Sequence, residues 1–218
     1  MQPPPPRERS PLCDSHREEV ASLWTHAAGV FFSFIALGAM LMLAGSEPRK
    51  LISAAVFGIS LVALYSASTL YHFFTGLRWK SHLQALDHAC IYLLIAGSYT
   101  PICLLVLPGA WGITLLTLVW CMAAAGVAVK LLLKSKRDHW ISTALYLAMG
   151  WLVVVAIVPL FRVMPAGGMA WLVAGGLAYT GGIVFFAWRR LPYNHAIWHL
   201  FVLAGSLCHV LAIVLHVL

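Results

Sequence analysis

HACIYLLIAGSYTPICLLVLPGAWGITLLTLVWCMAAAGVAV, residues 88–129, runs for 42 residues without an Asp, Glu, Lys or Arg. A helix of about 20 apolar residues crosses the roughly 30 Å hydrocarbon core of a bilayer, and this run is twice that length. Pro108-Gly109 near its middle is a turn, because the two residues together end helices. The run therefore reads as two membrane-spanning helices. Five further stretches, 20–46, 51–77, 139–161, 163–188 and 191–218, also lack charge, and each is long enough for one helix. The chain is predicted to form seven, at about 22–45, 51–74, 84–107, 110–133, 139–160, 168–188 and 194–218. A β-barrel would show alternating segments of about ten residues. These stretches are uniformly apolar, so the predicted fold class is an all-α integral membrane protein, a seven-transmembrane helix bundle.

Composition points the same way. Of 218 residues, 61% are apolar and only 10% charged, with a mean hydropathy of +0.88. Soluble domains carry about 25% charged residues, so an ordinary soluble enzyme is excluded and no room is left for a second folded domain. Residues 1–19, with Pro3 to Pro6 and several charges, read as a disordered cytoplasmic tail rather than a signal peptide. Residues 20–218 form the membrane domain. The five cysteines make no CxxC pair and read as small hydrophobes, not a disulfide framework. Gly175-Gly176 and Gly181-Gly182 read as close packing points in the sixth span.

Basic residues set the expected orientation. One side of the membrane receives Arg7, Arg9, Arg17, Arg78, Lys80, Lys130, Lys134, Lys136, Arg137, Arg189 and Arg190, eleven in all; the other receives Arg49, Lys50 and Arg162. The positive-inside bias predicts a cytoplasmic N-terminus and an external C-terminus. The net charge of +7 implies anionic lipid headgroups as partners at the cytoplasmic face. Scattered over short loops, it is no footprint for nucleic acid. A reporter that is active only outside the cytoplasm, fused after Leu218, is expected to be active. A silent fusion would mean an even number of spans.

Ionisable groups inside a membrane are costly and so carry information. Asp87 is the only acid expected near a span interior. With helix directions assigned, His26 early in the first helix, His72 late in the second, Asp87 opening the third, and His195 and His199 opening the seventh all fall at one depth near the cytoplasmic face. His195-Ala-Ile-Trp-His199 is an i, i+4 pair, so both imidazoles share one helical face. With His72 they supply three ligands, the number that leaves zinc an open position for water or substrate. Ser68 lies one turn before His72 and can orient that water or a substrate carbonyl. Asp87 can act as general base. Each feature alone also has a plainer reading: core histidines, an acid at a helix start, a serine bonded to its own backbone. His26 and His209 fit interhelical hydrogen bonds as well as function, and His88 is expected to point away from the Asp87 face.

Five stretches occur in order: EEVASLWTH (Glu18 to His26), SASTLYH (Ser66 to His72), Leu86-Asp87-His88, AGSYTP (Ala96 to Pro101) and HAIWHLFVLAG (His195 to Gly205) followed by His209. In these the chain resembles the hemolysin III family, the bacterial branch of the progestin and adipoQ receptor superfamily, over nearly everything after residue 18. It departs at Ser22, where the family is expected to carry Asn. The resemblance implies a seven-helix bundle in the bacterial plasma (inner) membrane with a cytoplasmic N-terminus. It implies Zn2+ held by His72, His195 and His199, with Asp87 near the metal through a water and Ser68 one turn from His72. It also implies a role in membrane homeostasis, kinship with ceramidases, and the lytic activity behind the family name.

Three functions follow for weighing. The first is a zinc hydrolase of a lipid amide or ester, with the acyl chain lying between helices. The second is a sensor of membrane state, with zinc as a clamp between helices 2 and 7. A hemolysin-like lytic protein stands beside them, although a pore would need more polar lining than the chain offers. A haem carrier would need opposed histidine pairs, and a retinal protein a lysine in helix 7, which has none.

Overall fold

The computed structural model describes residues 13, 15–74, 77–107, 109–133 and 139–218. Pro3 to Pro6 and the basic residues Arg7, Arg9, Lys134, Lys136 and Arg137 lie outside them. Helix α1 spans His16–Ala44. It starts at 16 because the Glu18 amide donates to Ser15 Oγ (3.2 Å) and Glu18 and Glu19 sit in the first turn, at the positive end of the helix dipole. Residues 16–19, expected in the tail, are thus helical. Helix α2 is Pro48–Phe73, with Pro in its first turn and Glu47 accepting from the Arg49 and Lys50 amides at 3.0 and 2.8 Å.

Helix α3 covers Leu77–Pro101 and continues as a five-residue π segment, Ile102–Val106. Pro101 has no amide hydrogen to donate, and the ladder widens behind it. Asp87 therefore lies ten residues into α3. The expectation that it opens the helix is corrected, and with it the reading as an acid at a helix start. Helix α4, Gly109–Leu133, begins at a glycine with φ of 56°.

The fifth span is broken: α5 (His139–Gly150), a 3-10 turn at Leu152–Ala156, then α6 (Ile157–Val163). Tyr99 of α3 mends the break. Its hydroxyl donates toward the carbonyls of Met149 and Gly150 (2.9 and 2.8 Å) and accepts from the Val153 amide (2.9 Å). Helices α7 (Ala166–Ala187) and α8 (Asn194–His216) complete seven helical spans, each long and apolar enough to cross a membrane. Among the described residues there is no strand.

Helix α1 packs between α2 and α8, α3 packs on α2 and α4, and α7 packs on α8. The buried face of α1 (Glu19, Ser22, His26, Gly29, Ser33, Ala36, Met40 and Ala44) repeats every three or four residues. Close approach is bought by small residues. Gly29 lies against the Tyr65 ring, Gly175 against His209, and Gly182 against Trp198 and Phe201. A side chain at Gly181 or Gly176 would have room, whereas one at Gly175 or Gly182 would not, so one glycine of each expected pair packs tightly. The outer face is apolar: Phe31 is 72% exposed and Met42 79%, as contact with lipid requires. One end of the bundle carries the C-terminus, where Lys50 Nζ donates to the Leu218 carbonyl (2.6 Å). The other carries the start of α1, where Glu18 accepts from the Tyr193 amide just before α8 (3.0 Å).

Candidate metal centre

Because α8 starts at Asn194, His195 and His199 occupy its first two turns on one face. His72 reaches the same point from the end of α2. All three are buried. Ring centroids are 4.4 Å apart for His195 and His199, and 5.1 Å from His72 to each. One ligand nitrogen from each histidine lies within 4.8 Å of the other two. Both nitrogens of His195 and Nε2 of His72 lack a hydrogen-bond partner, and His72 Nδ1 has the Glu19 carboxylate 3.4 Å away without a completed hydrogen bond. Leaving such groups unpaired in a dry interior costs about 1–3 kcal/mol each, and a cation between them would take up one lone-pair nitrogen from each ring. The donor set fits zinc, which takes imidazole nitrogen readily and needs only three protein ligands in an open site.

His26, expected at this depth, is there but in another role: its ring stacks on His199 at 3.5 Å and 11°. Ser68 and Asp87 are buried and line one cavity together with His26, His195 and His199. Ser68 Oγ faces the Asp87 carboxyl without completing a hydrogen bond. His88 lines the same cavity, contrary to the expectation that it points away, and its carbonyl accepts from Tyr146 (2.9 Å). His209 sits against Tyr179 (5.4 Å between rings) elsewhere along that cavity and is not among the three clustered histidines. The cavity, about 230 Å³, runs from the histidine layer between α3, the fifth span, α7 and α8, past Ile91, Ile95, Leu160, Leu172 and Val202. An apolar void of about 150 Å³ already holds a benzene.

Sequence reasoning missed the first turns of α1. Asp87 is not the only acid within reach: Glu19 is buried and its carboxylate lies 3.4 Å from His72 Nδ1. Lys80 pairs with the same carboxylate and donates to the Tyr71 carbonyl (2.8 Å). On the next turn, His199 Nδ1 lies 3.1 Å from the Ser22 carbonyl and 3.0 Å from Thr25 Oγ1. Cys13, Glu19 and His72 also cluster. Burial and the neighbouring Glu19 push the Cys13 thiol up to about 12, so it is protonated while no ion is bound there.

The chain matches the family model described as Haemolysin-III related over residues 15–210. It is 41% identical over 192 residues to a hemolysin-3 homolog of Bacillus subtilis (strain 168), covering 87% of this chain and 90% of that one. It is 40% identical over 204 residues to hemolysin-3 of Bacillus cereus, covering 93% of each. It is 31% identical over 212 residues to the human monocyte to macrophage differentiation factor, covering 93% of this chain and 84% of the human one.

Proposed function

Since the chain belongs to the hemolysin III family of the progestin and adipoQ receptor superfamily, as a multi-pass plasma-membrane protein with lipid-facing spans, we propose that it is a zinc-dependent hydrolase of a membrane lipid amide or ester. The observation that carries the reading is the cavity. Its walls are apolar, and His195, His199, Ser68 and Asp87 meet on it at one end. An acyl chain fits the walls, and its carbonyl then lies at the polar layer.

His72, His195 and His199 would hold the ion. When bound, zinc supplies a Lewis acid that polarises a carbonyl and makes water a nucleophile near neutral pH. Asp87 accepts the proton from the attacking water and delivers it to the leaving nitrogen or oxygen. The acyl carbon gains the hydroxyl as the C–N or C–O bond breaks. Ser68 Oγ, lacking a partner, donates to the substrate carbonyl and orients it. The apolar walls keep bulk water away, which strengthens each of these polar contacts.

The test is a screen of purified protein against amide and ester lipids of graded chain length, with and without a zinc chelator. Gly176 lines the cavity with open space around it, so Gly176→Phe places a ring where the chain would lie. Turnover of long-chain substrates is expected to fall while zinc content is unchanged. If the wild type cleaves no such lipid, the hydrolase reading fails. The tie between α2 and α8 would then favour the sensor, with zinc as a clamp.

A further inference from the structure

Helix α1 contributes no ligand to the three-histidine cluster, yet it lies between the two helices that do, with Glu19, Ser22 and Thr25 spaced by three and so on one face. We infer that α1 positions the metal ligands: the Ser22–Thr25 turn and the Glu19 carboxylate hold the Nδ1 hydrogens of His199 and His72, so that both imidazoles offer Nε2 to the ion. This rests on the three-histidine reading of the site.

The His199 end follows from counting hydrogens. Thr25 has one hydroxyl hydrogen and donates it to the Ser22 carbonyl at 2.8 Å. Toward His199 Nδ1, at 3.0 Å, Thr25 Oγ1 can then only accept. The Ser22 carbonyl, at 3.1 Å from the same nitrogen, also only accepts. Two acceptors converge on Nδ1, so Nδ1 carries the hydrogen and the lone pair of the neutral ring is on Nε2. Because a backbone carbonyl makes this contact, it does not depend on the side chain at position 22, and the Ser22 hydroxyl is turned to Cys13 Sγ (3.8 Å).

At His72 the acceptor is a carboxylate. Glu19 Oε1 is 3.4 Å from Nδ1, a carboxylate within reach of that nitrogen but short of a completed hydrogen bond, and Lys80, pairing with Glu19 and anchored on the Tyr71 carbonyl one residue before His72, holds the carboxylate there. Ligating histidines commonly give their second N–H to a carboxylate or backbone carbonyl, which sets the tautomer and raises ligand basicity. Here one helix supplies both kinds of acceptor.

The test uses full-length protein in lipid nanodiscs. Imidazole nitrogen NMR on the zinc-free wild type should report Nδ1–H tautomers for His72 and His199. Chelator competition should then show zinc affinity reduced roughly 10–100-fold in Glu19→Gln, with part of the loss restored in Glu19→Asp and a smaller loss in Thr25→Val, where the carbonyl remains. Because Glu19→Gln also takes the carboxylate from Lys80, the readout that a merely structural role would not move is the His72 tautomer, which should lose its Nδ1–H preference in Glu19→Gln while that of His199 is kept. Nε2–H tautomers, or wild-type affinity in Glu19→Gln, overturn the inference; should that variant not fold, the tautomers decide. A second metal ion lost on Cys13→Ser also overturns it, by making Glu19 a ligand. Wild-type protein that binds no zinc overturns the three-histidine reading itself.

Discussion

Asp87→Asn is expected to lower lipid hydrolysis by roughly 10²–10⁴-fold, the usual worth of a general base, while fold and zinc content stay as they are. On the transition-state scale this is about 3–5 kcal/mol. Asn keeps the shape and the polarity of the buried position but cannot take a proton. Three features make the expectation specific. Asp87 lies ten residues inside α3, so no helix start is weakened by the change. Its carboxyl stands outside the group of clustered ligand atoms, so the metal has no bond to lose. It lines the cavity beside Ser68 and His195, where the proton must be taken up. Turnover assays with metal analysis of the same preparations decide it. Full activity in Asp87→Asn would place the base elsewhere, and loss of zinc would make Asp87 a ligand.

The histidine variants should behave differently, losing metal and activity together. In His199→Ala, zinc content should fall to background. An ion held by the three histidines would tie α2 to α8, segments more than a hundred residues apart in sequence, so stability should fall with it. With zinc present at about 100 times its dissociation constant, binding contributes about 2.7 kcal/mol, which for a chain of this length is a drop of roughly 5–11 °C in Tm. Two controls separate ligand from bystander. His26→Phe retains the ring stacked on His199 and should keep zinc. His209→Ala opens a hole beside Tyr179, far along α8 from the cluster, and should keep zinc as well. Full occupancy in His199→Ala would overturn the ligand assignment.

The seven spans were legible because hydrocarbon tolerates so little charge that the gaps between charged residues outline the helices. The histidine layer was legible for a related reason: once helix directions are set, depth is arithmetic, and i, i+4 spacing fixes a shared face. The start of α1 was missed although its signal was there. Ser15-His16-Arg17-Glu18 has the Ser-x-x-Glu form of a helix start, but a reading by hydropathy discards charged turns as tail. Glu19 went with it, and so did the count of acids near the site. Asp87 was set at a helix start for the same reason, since the charged first turns of α3 looked like loop. The break at Leu152–Ala156 had a local signal, Gly150 before it and Pro159 after it, whose missing amide hydrogen leaves the Val155 carbonyl unpaired, but the way it is closed had none. That closure depends on Tyr99, some fifty residues earlier, and no window of sequence contains both. Which nitrogen of each histidine carries hydrogen is likewise a property of contacts between helices.

That break bears on how the chain is put into the membrane. An unbroken span can leave the insertion machinery alone, because every peptide group is satisfied within it. The fifth span cannot, because the Val153 amide relies on a hydroxyl from α3, and an orphaned amide in hydrocarbon costs several kcal/mol. The broken form of the fifth span is therefore expected to be settled only once it packs on the third, which is synthesised first. Tyr99 thus joins two spans far apart in sequence, and the stretch of cavity wall they share is complete only when both are in place.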